Sequence, residues 1–377
     1  MTGLSYRIHD SVEPARGDWH RLEAEGAHTP YQRLGWSEAY LAHVGVAEGI
    51  KPAIAVIHGA DGAVLALFPF CVTHARPARI VRFVGGKHAN FNMGLFARDA
   101  GRLLDAPALA GLFKALHAAT GAQTAILENQ PRQWQGFANP LAVLPCRDSP
   151  EPAYKFSFTN DVAAMLEAKL SPDARRKLKR KERKLGELGA VSFRRAETQE
   201  ELRRVLDAFF RQKAERFAAL GQPDVFAEPG VAAFITAASS VGLEQGNPAI
   251  EMYYTAAGER IVATYGAAIS PERFCGMFTS FDSSEDVFRW SPGDLMLYHL
   301  IGMMSARGLK VFDLGVGEAH YKGGYCDEYE ALFDTVMPLS MTGHALSLAY
   351  GAAAAAKHRI KASPRALALV NRLRRGG

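Results

Sequence analysis

The sequence predicts an α/β (α+β) protein built from two domains of similar make-up. Apolar segments of strand length alternate with amphipathic helical segments along both halves of the 377-residue chain. One strand–turn–strand pattern occurs in each half, as AIAVIHGADGAVLALFPF and again as IEMYYTAAGERIVATYGA. A chain of this length can bury two cores of ordinary size. Together these observations favour a duplicated domain.

Composition narrows the class of protein. The hydrophobic fraction, 48%, is typical of a globular chain, and the net charge of +5 argues neither for nor against a nucleic-acid partner. Cys71, Cys146, Cys275 and Cys326 are far apart, which speaks against a zinc site or a disulfide framework and favours a reducing compartment. The N-terminus lacks the apolar core of a signal peptide, and the run 345–356 is too short to span a bilayer. We therefore expect a cytoplasmic protein.

Residues 1–150 are predicted to form the first domain. Helices are expected over 33–44 and 106–119, where apolar residues recur at helical spacing. Strands are expected at 53–57, 63–72, 79–84 and 123–127. The stretch 129–152 contains five prolines and is predicted to be the linker between the domains.

Residues 151–340 are predicted to form the second domain from the same kinds of elements. A very basic helix is expected to start at Ser171, and further helices at 199–220 and 229–241. Strands are expected at 154–158, 191–195, 250–255, 260–269, 274–281, 310–314 and 329–339, the last closing the second sheet. Residues 341–377 are predicted to form a basic amphipathic helical tail, because 357–377 carry seven Lys or Arg and no acid.

The stretch 289–325 is predicted to contain the centre of the functional site. Ser291 can be an N-cap, Pro292 fits the first helical position, and Asp294 completes an S-x-x-D capping pattern. The following segment, 295–306, has no charged residue, which predicts a buried helix. The free N–H groups at the start of such a helix suit a phosphate group.

Over residues 170–325 the chain resembles the CelD/BcsL-type acetyltransferases of the GNAT superfamily, which are associated with bacterial cellulose and other exopolysaccharide synthesis. That family is similar to the FemAB-type aminoacyl transferases, which are tandem GNAT folds. The first half contributes PYQRLGW, LALFPF and RFVGG. In the second half the resemblance is carried by RRKLKR at 175–180, GERIVATYG, Phe281-Asp282, SPG at 291–293, DLG at 313–315 and Tyr321-Lys322.

The resemblance implies two tandem GNAT-like domains, each a mixed, mostly antiparallel sheet flanked by helices, with acetyl-CoA as acyl donor and no metal. It implies N- or O-acetyl transfer to an amino sugar or another exopolysaccharide precursor, bound in the cleft between the two halves. One departure is that a simple GNAT enzyme has Q/R-x-x-G-x-G/A at its pyrophosphate loop, whereas RWSPGD here has a single glycine. Two alternatives therefore stay open: an aminoacyl-tRNA-dependent transferase of the FemAB kind, and a non-catalytic GNAT-fold binding or regulatory module.

Four residues are candidates for holding acetyl-CoA: Arg289, Ser291, Gly293 and Asp294. Arg289 would supply charge for the pyrophosphate, and the other three would form and cap the start of the helix. The same four residues would also make an ordinary well-capped helix, and the resemblance favours the site.

Asp282, Asp313 and Lys322 are the candidate catalytic residues, because acyl transfer needs a proton acceptor and donors facing the thioester oxygen. Asp282 follows a strand in a polar patch and is either a base, a ligand for a sugar hydroxyl or a solvated carboxylate. Asp313 lies in an apolar strand and is either functional or in an ion pair, for example with Lys322. Lys322 either polarises the thioester oxygen, neutralises a substrate phosphate or is a surface lysine.

Tyr321, Arg176 and Arg180 are the candidate substrate-binding residues. Tyr321 could stack on a sugar, and segment 175–184, with eight basic residues and one acid, could dock an anionic substrate or be a solvated face. No aromatic residues interleave with these charges, which weakens a nucleic-acid role except under the tRNA alternative. The tail is either a peripheral contact at the inner face of the membrane, a helix docked on the domain, or a site for a signalling dinucleotide.

Overall fold

Two sheets organise the computed structural model, which describes residues 3–75, 78–159, 161–317 and 324–362. Within these residues the first sheet has eight strands and the second has seven. We call the part built on the first sheet the first lobe and the part built on the second sheet the second lobe.

The first lobe contains most of the chain before residue 150. Its helices are α1 (Arg16–Glu25), α2 (Leu34–Tyr40) and α3 (Ala106–Thr120). Its strands from this part of the chain are β1 (Ser5–His9), β2 (Lys51–His58), β3 (Val64–Ala75), β4 (Ala78–Phe83), β5 (Leu95–Phe96), β6 (Thr124–Pro131), the hairpin β7 (Gln133–Trp134) and β8 (Phe137–Ala138), and β9 (Cys146–Asp148).

The second lobe follows. Its strands are β10 (Ala153–Ser157), β11 (Val191–Arg195), β12 (Glu251–Ala257), β13 (Arg260–Ser270), β14 (Arg273–Phe281), β15 (Val311–Val316) and β16 (Glu328–Glu330). Its helices are α4 (Val162–Lys169), α5 (Pro172–Leu185), α6 (Gln199–Leu220), α7 (Val231–Ser240), α8 (Glu285–Phe288) and α9 (Pro292–Ala306).

The two lobes repeat one order of elements. The first lobe runs β1-α1-α2-β2-β3-β4-α3-β6, and the second runs β11-α6-α7-β12-β13-β14-α9-β15. In each lobe the long helix connects two neighbouring parallel strands, β4 with β6 and β14 with β15, while the other pairs are antiparallel. A parallel pair needs such a crossover, whereas antiparallel neighbours need only a turn. The predicted fold class, two mixed and mostly antiparallel sheets flanked by helices, is confirmed.

One strand crosses between the lobes. The predicted strand 329–339 is wrong as a single element of the second sheet, because it is two strands. Glu328–Glu330 is β16 and pairs with β10, whereas Leu332–Pro338, β17, pairs with β6 and β9 of the first sheet. Leu332 and Phe333 are buried in the first-lobe core. The predicted linker 129–152 is also wrong, because it contains β7, β8 and β9. The predicted boundaries 1–150 and 151–340 therefore do not separate the two sheets.

Helices cover both faces of the second sheet. On one face α6 and α7 pack between this sheet and the first lobe. The ring centroids of Phe209 in α6 and Phe278 in β14 are 4.8 Å apart, and those of Phe234 in α7 and Trp36 of the first lobe are 5.0 Å apart. On the other face α9 buries Leu300 completely with its apolar neighbours, which confirms the predicted buried helix. Each large apolar side chain buried in this way contributes about 1.5–3 kcal/mol.

The tail begins as a helix docked on the first lobe. Helix α10 (Met341–Ala362) packs Leu346 and Tyr350 against Ile80 and Ile126 of the first sheet. Tyr350 Oη donates to Glu128 Oε1 at 2.5 Å. The basic segment 363–377, predicted to contact membrane or a dinucleotide, lies outside the described residues. No helix in the described ranges has the length and apolar character needed to cross a membrane.

Candidate active site

The parallel strands β14 and β15 part soon after they meet. Pairing joins Arg273–Cys275 to Val311–Asp313, and β14 then continues to Phe281 without β15 beside it. At the point of parting Asn90 of the first lobe donates its Nδ2 to the carbonyl oxygen of Gly276 at 2.9 Å. The gap beyond, which we call the β14–β15 parting, therefore adjoins both lobes.

A bulge in β14 lies at the start of this parting. Gly266 of β13 is opposite Phe278, but the next residue of β13, Ala267, is opposite Gly276, so Met277 is an extra residue. Bulges kink a strand and redirect its groups, and they are frequent beside active sites. A side chain at Gly276 would place its Cβ 2.5 Å from Tyr265 Oη and 3.0 Å from the Asp313 carbonyl oxygen, so only glycine fits there.

The N-terminus of α9 lies at the open end of the parting, since a Cβ added to Gly293 would lie 3.5 Å from Phe281 Cδ1. Ser291 has the left-handed conformation, with φ 48° and ψ 62°, and its side chain does not cap the helix. Ser291 is thus the N-cap residue and Pro292 the first helical residue, as predicted, but the side-chain bond of the predicted S-x-x-D cap is not formed. A capping serine needs extended backbone to aim its Oγ at the first amides, and Ser291 does not have it.

Lys181 of α5 contacts the two side chains that were expected to cap α9. Its Nζ donates to Ser291 Oγ at 2.7 Å and to Asp294 Oδ2 at 3.4 Å. The N–H of Gly293 finds no acceptor in the described part of the chain. We call this group, Lys181, Ser291, Gly293 and Asp294, the α9 mouth. A lysine ammonium, a free N–H and the positive end of a fifteen-residue helix together suit an anion.

Arg289 does not join the α9 mouth in this structure. It is exposed, and its guanidinium lies over the ring of its neighbour Trp290, 5.0 Å from the centroid. Tyr325, by contrast, is near the mouth: burial raises its pKa to about 12, and the carboxylate of Asp294 adds to the effect. Three of the four predicted cofactor residues therefore lie together, and Arg289 lies to one side.

Asp282 has a full set of protein partners. Its Oδ2 accepts from Arg260 Nε at 2.8 Å, and its Oδ1 accepts from the N–H and the hydroxyl of Ser284 at 3.0 and 2.6 Å. Burial acts to raise the pKa of Asp282, but the bonds from Ser284 and Arg260 outweigh it and leave that pKa below its ordinary value. A lowered pKa makes a weaker base, so these contacts favour a role in closing the loop. Its catalytic role stays a prediction.

Asp313 is fully buried and paired with Arg273, while Lys322, the partner suggested by the sequence, lies outside the described residues. Arg273 Nε donates to Asp313 Oδ2 at 3.1 Å, and its Nη1 donates to Glu330 at 2.8 Å. The guanidinium also lies 4.7 Å from the ring centroid of Phe91 and 4.5 Å from that of Trp134, both in the first lobe. Burial raises the pKa of Asp313, and Arg273 opposes that rise. The pair fastens the closed end of the parting to the first lobe.

Of the remaining predicted residues, the structure describes only Arg176 and Arg180, and neither contacts the α9 mouth. Tyr321 and Lys322 lie outside the described residues. Arg176 and Arg180 are on the outer face of α5, where Arg176 is 3.7 Å from Asp173 and Arg180 has no ion pair within the described ranges. Lys181, which the sequence analysis did not single out, is the residue of this run that reaches the mouth. It follows the buried Leu178 by three residues, and that spacing was the available signal.

A cavity of about 230 Å³ adjoins the parting on the face opposite α9. We call it the interlobe cavity. Its second-lobe wall includes Met277 and Phe278 of the bulge, with Phe226 and Phe234, and its first-lobe wall is formed by Lys87, His88 and Asn90. Sequence analysis missed these first-lobe residues. The signal was a glycine pair followed by polar residues directly after a strand, in RFVGGKHAN.

Comparison with known proteins gives a family match for the second lobe. Residues 172–323 match the family model described as an acetyltransferase (GNAT) domain. This segment includes α5, the β14–β15 parting and the α9 mouth. Comparison with curated proteins gave no match.

Solved structures of similar fold cover almost the whole chain. FemX covers 88% of this chain and 96% of its own, with a TM-score of 0.58 and 9% identity. A protein of unknown function from Bacteroides thetaiotaomicron covers 88% and 100%, with a TM-score of 0.53 and 11% identity. The C-terminal domain of a protein assigned as a lysylphosphatidylglycerol synthetase from Agrobacterium fabrum covers 90% and 95%, with a TM-score of 0.51 and 11% identity. At such identities the likeness shows the fold.

The fold and the family match together support a transferase of the GNAT superfamily. For residues 172–323 the family match supports the predicted superfamily, and for the rest of the chain the solved structures show the fold alone. The finer assignment to the CelD/BcsL type, the acyl donor and the acceptor stay predictions.

Proposed function

We propose that the chain is an acetyl-CoA-dependent N- or O-acetyltransferase that acts on an amino sugar or another precursor of an exopolysaccharide. The observation that carries the proposal is the β14–β15 parting, which has the α9 mouth at its open end and the bulge of Met277 at its start. A site for acyl transfer needs an anion-binding end for the carrier and backbone donors near the acyl oxygen.

The donor side fits coenzyme A. Lys181 and the N–H of Gly293 would hold the diphosphate, which carries negative charge, at the positive end of α9. The unpaired edge of β14 beyond Cys275 would hold the amide-bearing arm of the carrier, because an open strand edge offers N–H and C=O groups in register. Acetyl-CoA would supply an acetyl group activated as a thioester.

The acceptor side lies across the sheet. The interlobe cavity contacts the same bulge from the face that carries α6 and α7, so the acceptor can reach the parting without crossing the donor's path. This arrangement holds two substrates at one gap from opposite faces, and such positioning is itself a large part of catalysis. Lys322, outside the described residues, stays a predicted contributor.

The experiment is calorimetry with acetyl-CoA, followed by an assay for free thiol with amino-sugar acceptors. We expect Lys181→Glu to weaken binding by at least about tenfold, because it replaces an attractive charge by a repulsive one. Lys184→Glu is the matched control, since Lys184 is on the same helix but its Nζ is paired with Glu187 at 2.8 Å and contacts no residue of the α9 mouth in the described part of the chain. No binding by the wild-type chain at millimolar ligand would leave a non-catalytic module as the better account.

A second candidate is transfer from a charged tRNA, and one observation favours it. Lys179, Arg180 and Arg183 are exposed on α5, the helix whose Lys181 reaches the α9 mouth, and have no ion pair within the described ranges. A polyanion much larger than coenzyme A would use this face, with affinity that falls steeply with salt. Retention of tRNA by the wild-type chain, lost in Arg180→Glu at constant salt, would support this candidate over the first.

A further inference from the structure

Helix α10 is held on the first lobe by one of its faces. The residues that meet the first sheet recur at helical spacing: Gly343, Leu346, Ser347 and Tyr350. A Cβ added to Gly343 would overlap the carbonyl oxygen of Gln123, so only glycine fits there. One turn later Ser347 Oγ is 2.9 Å from Thr124 Oγ1. These contacts fix how α10 is rotated about its own axis.

The opposite face of α10 is apolar and exposed. It carries residues at positions i, i+4, i+7 and i+11, which are Met341, Ala345, Leu348 and Ala352. We call these four residues the outer face of α10. Met341 is 86% exposed and Leu348 is 76% exposed, the highest values among the large apolar side chains of the described residues. A helix on the surface of a globular protein normally presents polar and charged side chains to water. The outer face of α10 therefore has the character of a surface that a partner covers.

The charges of this part of the chain are one-sided. Between Thr335 and Ala356 the sequence has no Lys, Arg, Asp or Glu. Residues 357–377 then carry seven Lys or Arg and no acid. Three of the seven, Lys357, Arg359 and Lys361, belong to α10 itself. One helix thus joins an exposed apolar face to a basic end.

This combination favours one kind of partner. An apolar face alone would suit a second protein as well as a lipid surface. The basic end attracts a surface of negative charge, and it repels a second copy of this chain, which has the same charge. An anionic bilayer matches both features, because apolar side chains enter the boundary between headgroups and acyl chains while Lys and Arg stay at the headgroups.

We propose that the outer face of α10 binds the surface of an anionic bilayer, with Met341 and Leu348 in the headgroup–acyl boundary and the basic end at the headgroups. The axis of α10 is parallel to the bilayer, because the four outer residues span three turns on one side of the helix. The inference adds a structurally defined apolar face to the membrane contact predicted for the basic tail. It is independent of the proposed function, since none of these residues belongs to the α9 mouth or the interlobe cavity.

The test is co-sedimentation of the full chain with vesicles of phosphatidylcholine alone and of phosphatidylcholine mixed with phosphatidylglycerol. We expect binding to the anionic vesicles only, with an affinity that falls as salt is raised. Leu348→Glu should lower that affinity at least about tenfold, because it removes a buried leucine and adds a repelled charge.

Two further variants separate the apolar from the basic contribution. Changing Lys357, Arg359 and Lys361 together to Gln should lower the affinity at least about tenfold and weaken its dependence on salt. Val241→Glu is the matched control, since Val241 is a 64% exposed apolar residue of the second lobe, and it should leave the affinity unchanged. Circular dichroism of each variant checks that the fold is intact, which the exposure of Leu348 leads us to expect.

Three results would overturn the inference: no binding to anionic vesicles, equal binding to both kinds of vesicle, or unchanged affinity in Leu348→Glu. Light scattering without vesicles tests the other occupant, because a dimer that dissociates in Leu348→Glu would assign the outer face to a second copy. Acetyl-CoA titration of the same samples keeps the two proposals apart. Leu348→Glu should leave acetyl-CoA affinity unchanged, so a failure of vesicle binding and a failure of acetyl-CoA binding are seen separately.

Discussion

The two lobes share one order of elements but differ at the place where their parallel strands part. In the first lobe β4 and β6 pair over Ile80–Val81 and Thr124–Ala125, and an ion pair between Arg82 and Glu128 then bridges the gap. In the second lobe the ion pair, Arg273 with Asp313, is at the closed end, and beyond it this edge of β14 pairs with no strand of the described residues.

The helices that connect these parallel strands, α3 and α9, also differ in how their N-termini are capped. Helix α3 has a regular cap, with Asp105 Oδ1 accepting from the N–H of Ala108 at 2.9 Å. Helix α9 has none, and Lys181 stands over its N-terminus. The start of α3 carries the Asp105 carboxylate, which repels a phosphate, whereas at the start of α9 the Lys181 ammonium is present beside the Asp294 carboxylate and adds an attractive charge. We therefore expect the start of α9, and not that of α3, to bind an anion.

The largest expected effect tests the closed end of the second-lobe parting. Arg273→Met should lower the free energy of unfolding by about 3–5 kcal/mol, because it leaves Asp313 buried without its counter-charge. Urea unfolding followed by circular dichroism measures this. Arg82→Met in the first lobe is the matched control and should cost below about 1 kcal/mol, since that pair is partly exposed. An equal loss of unfolding free energy in Arg273→Met and Arg82→Met would contradict the proposed difference between the two lobes.

The next effect sharpens the contrast between the two helix starts. Asp105→Ala should cost about 1 kcal/mol of stability through its lost cap and leave acetyl-CoA affinity unchanged. Ser291→Ala should cost little stability, because its hydroxyl caps nothing, but should weaken acetyl-CoA binding by releasing Lys181. Urea unfolding measures the stability of both variants, and calorimetry measures their affinity for acetyl-CoA. A loss of affinity in Asp105→Ala, or unchanged affinity in Ser291→Ala, would contradict this prediction.

The smallest effect concerns Asp282 and its dependence on pH. The pKa of Asp282 is lowered in the folded chain, so its stabilising contribution is present above the unfolded pKa of about 4 and is lost as pH falls through the folded value. The difference in stability between wild type and Asp282→Asn should therefore be largest near neutral pH and shrink in acid. A loss of turnover in Asp282→Asn with unchanged stability would instead restore Asp282 as a catalytic residue.

The sequence was sufficient for the fold because the fold depends on local patterns. The period of apolar residues predicted α6 over 199–220, and the run without charges predicted the burial of α9. The pairing of β17 could not be read in this way. An apolar segment predicts a buried strand but not which of two sheets the strand joins. For β17 the choice depends on contacts with β6, some two hundred residues earlier.

The site was predictable only in part, for a similar reason. Ser291, Gly293 and Asp294 are neighbours in sequence, so their association followed from one helix start. Lys181 and the wall of the interlobe cavity come from distant segments, and their local signals, the spacing from Leu178 and the glycine pair in RFVGGKHAN, do not show which site they join. Backbone conformation was equally hidden, since the serine at a cap-like position has left-handed rather than extended backbone.

The crossing of β17 has a consequence for how the protein is made. A ribosome releases the N-terminal segment first, yet the first sheet lacks the strand between β6 and β9 until Leu332–Pro338 has emerged. The edge of β6 that pairs with β17 therefore has no partner from β17 while the second lobe is translated. The nascent chain therefore carries an unpaired strand edge while residues 132–331 are translated, and the first lobe completes its folding only after β17 has emerged.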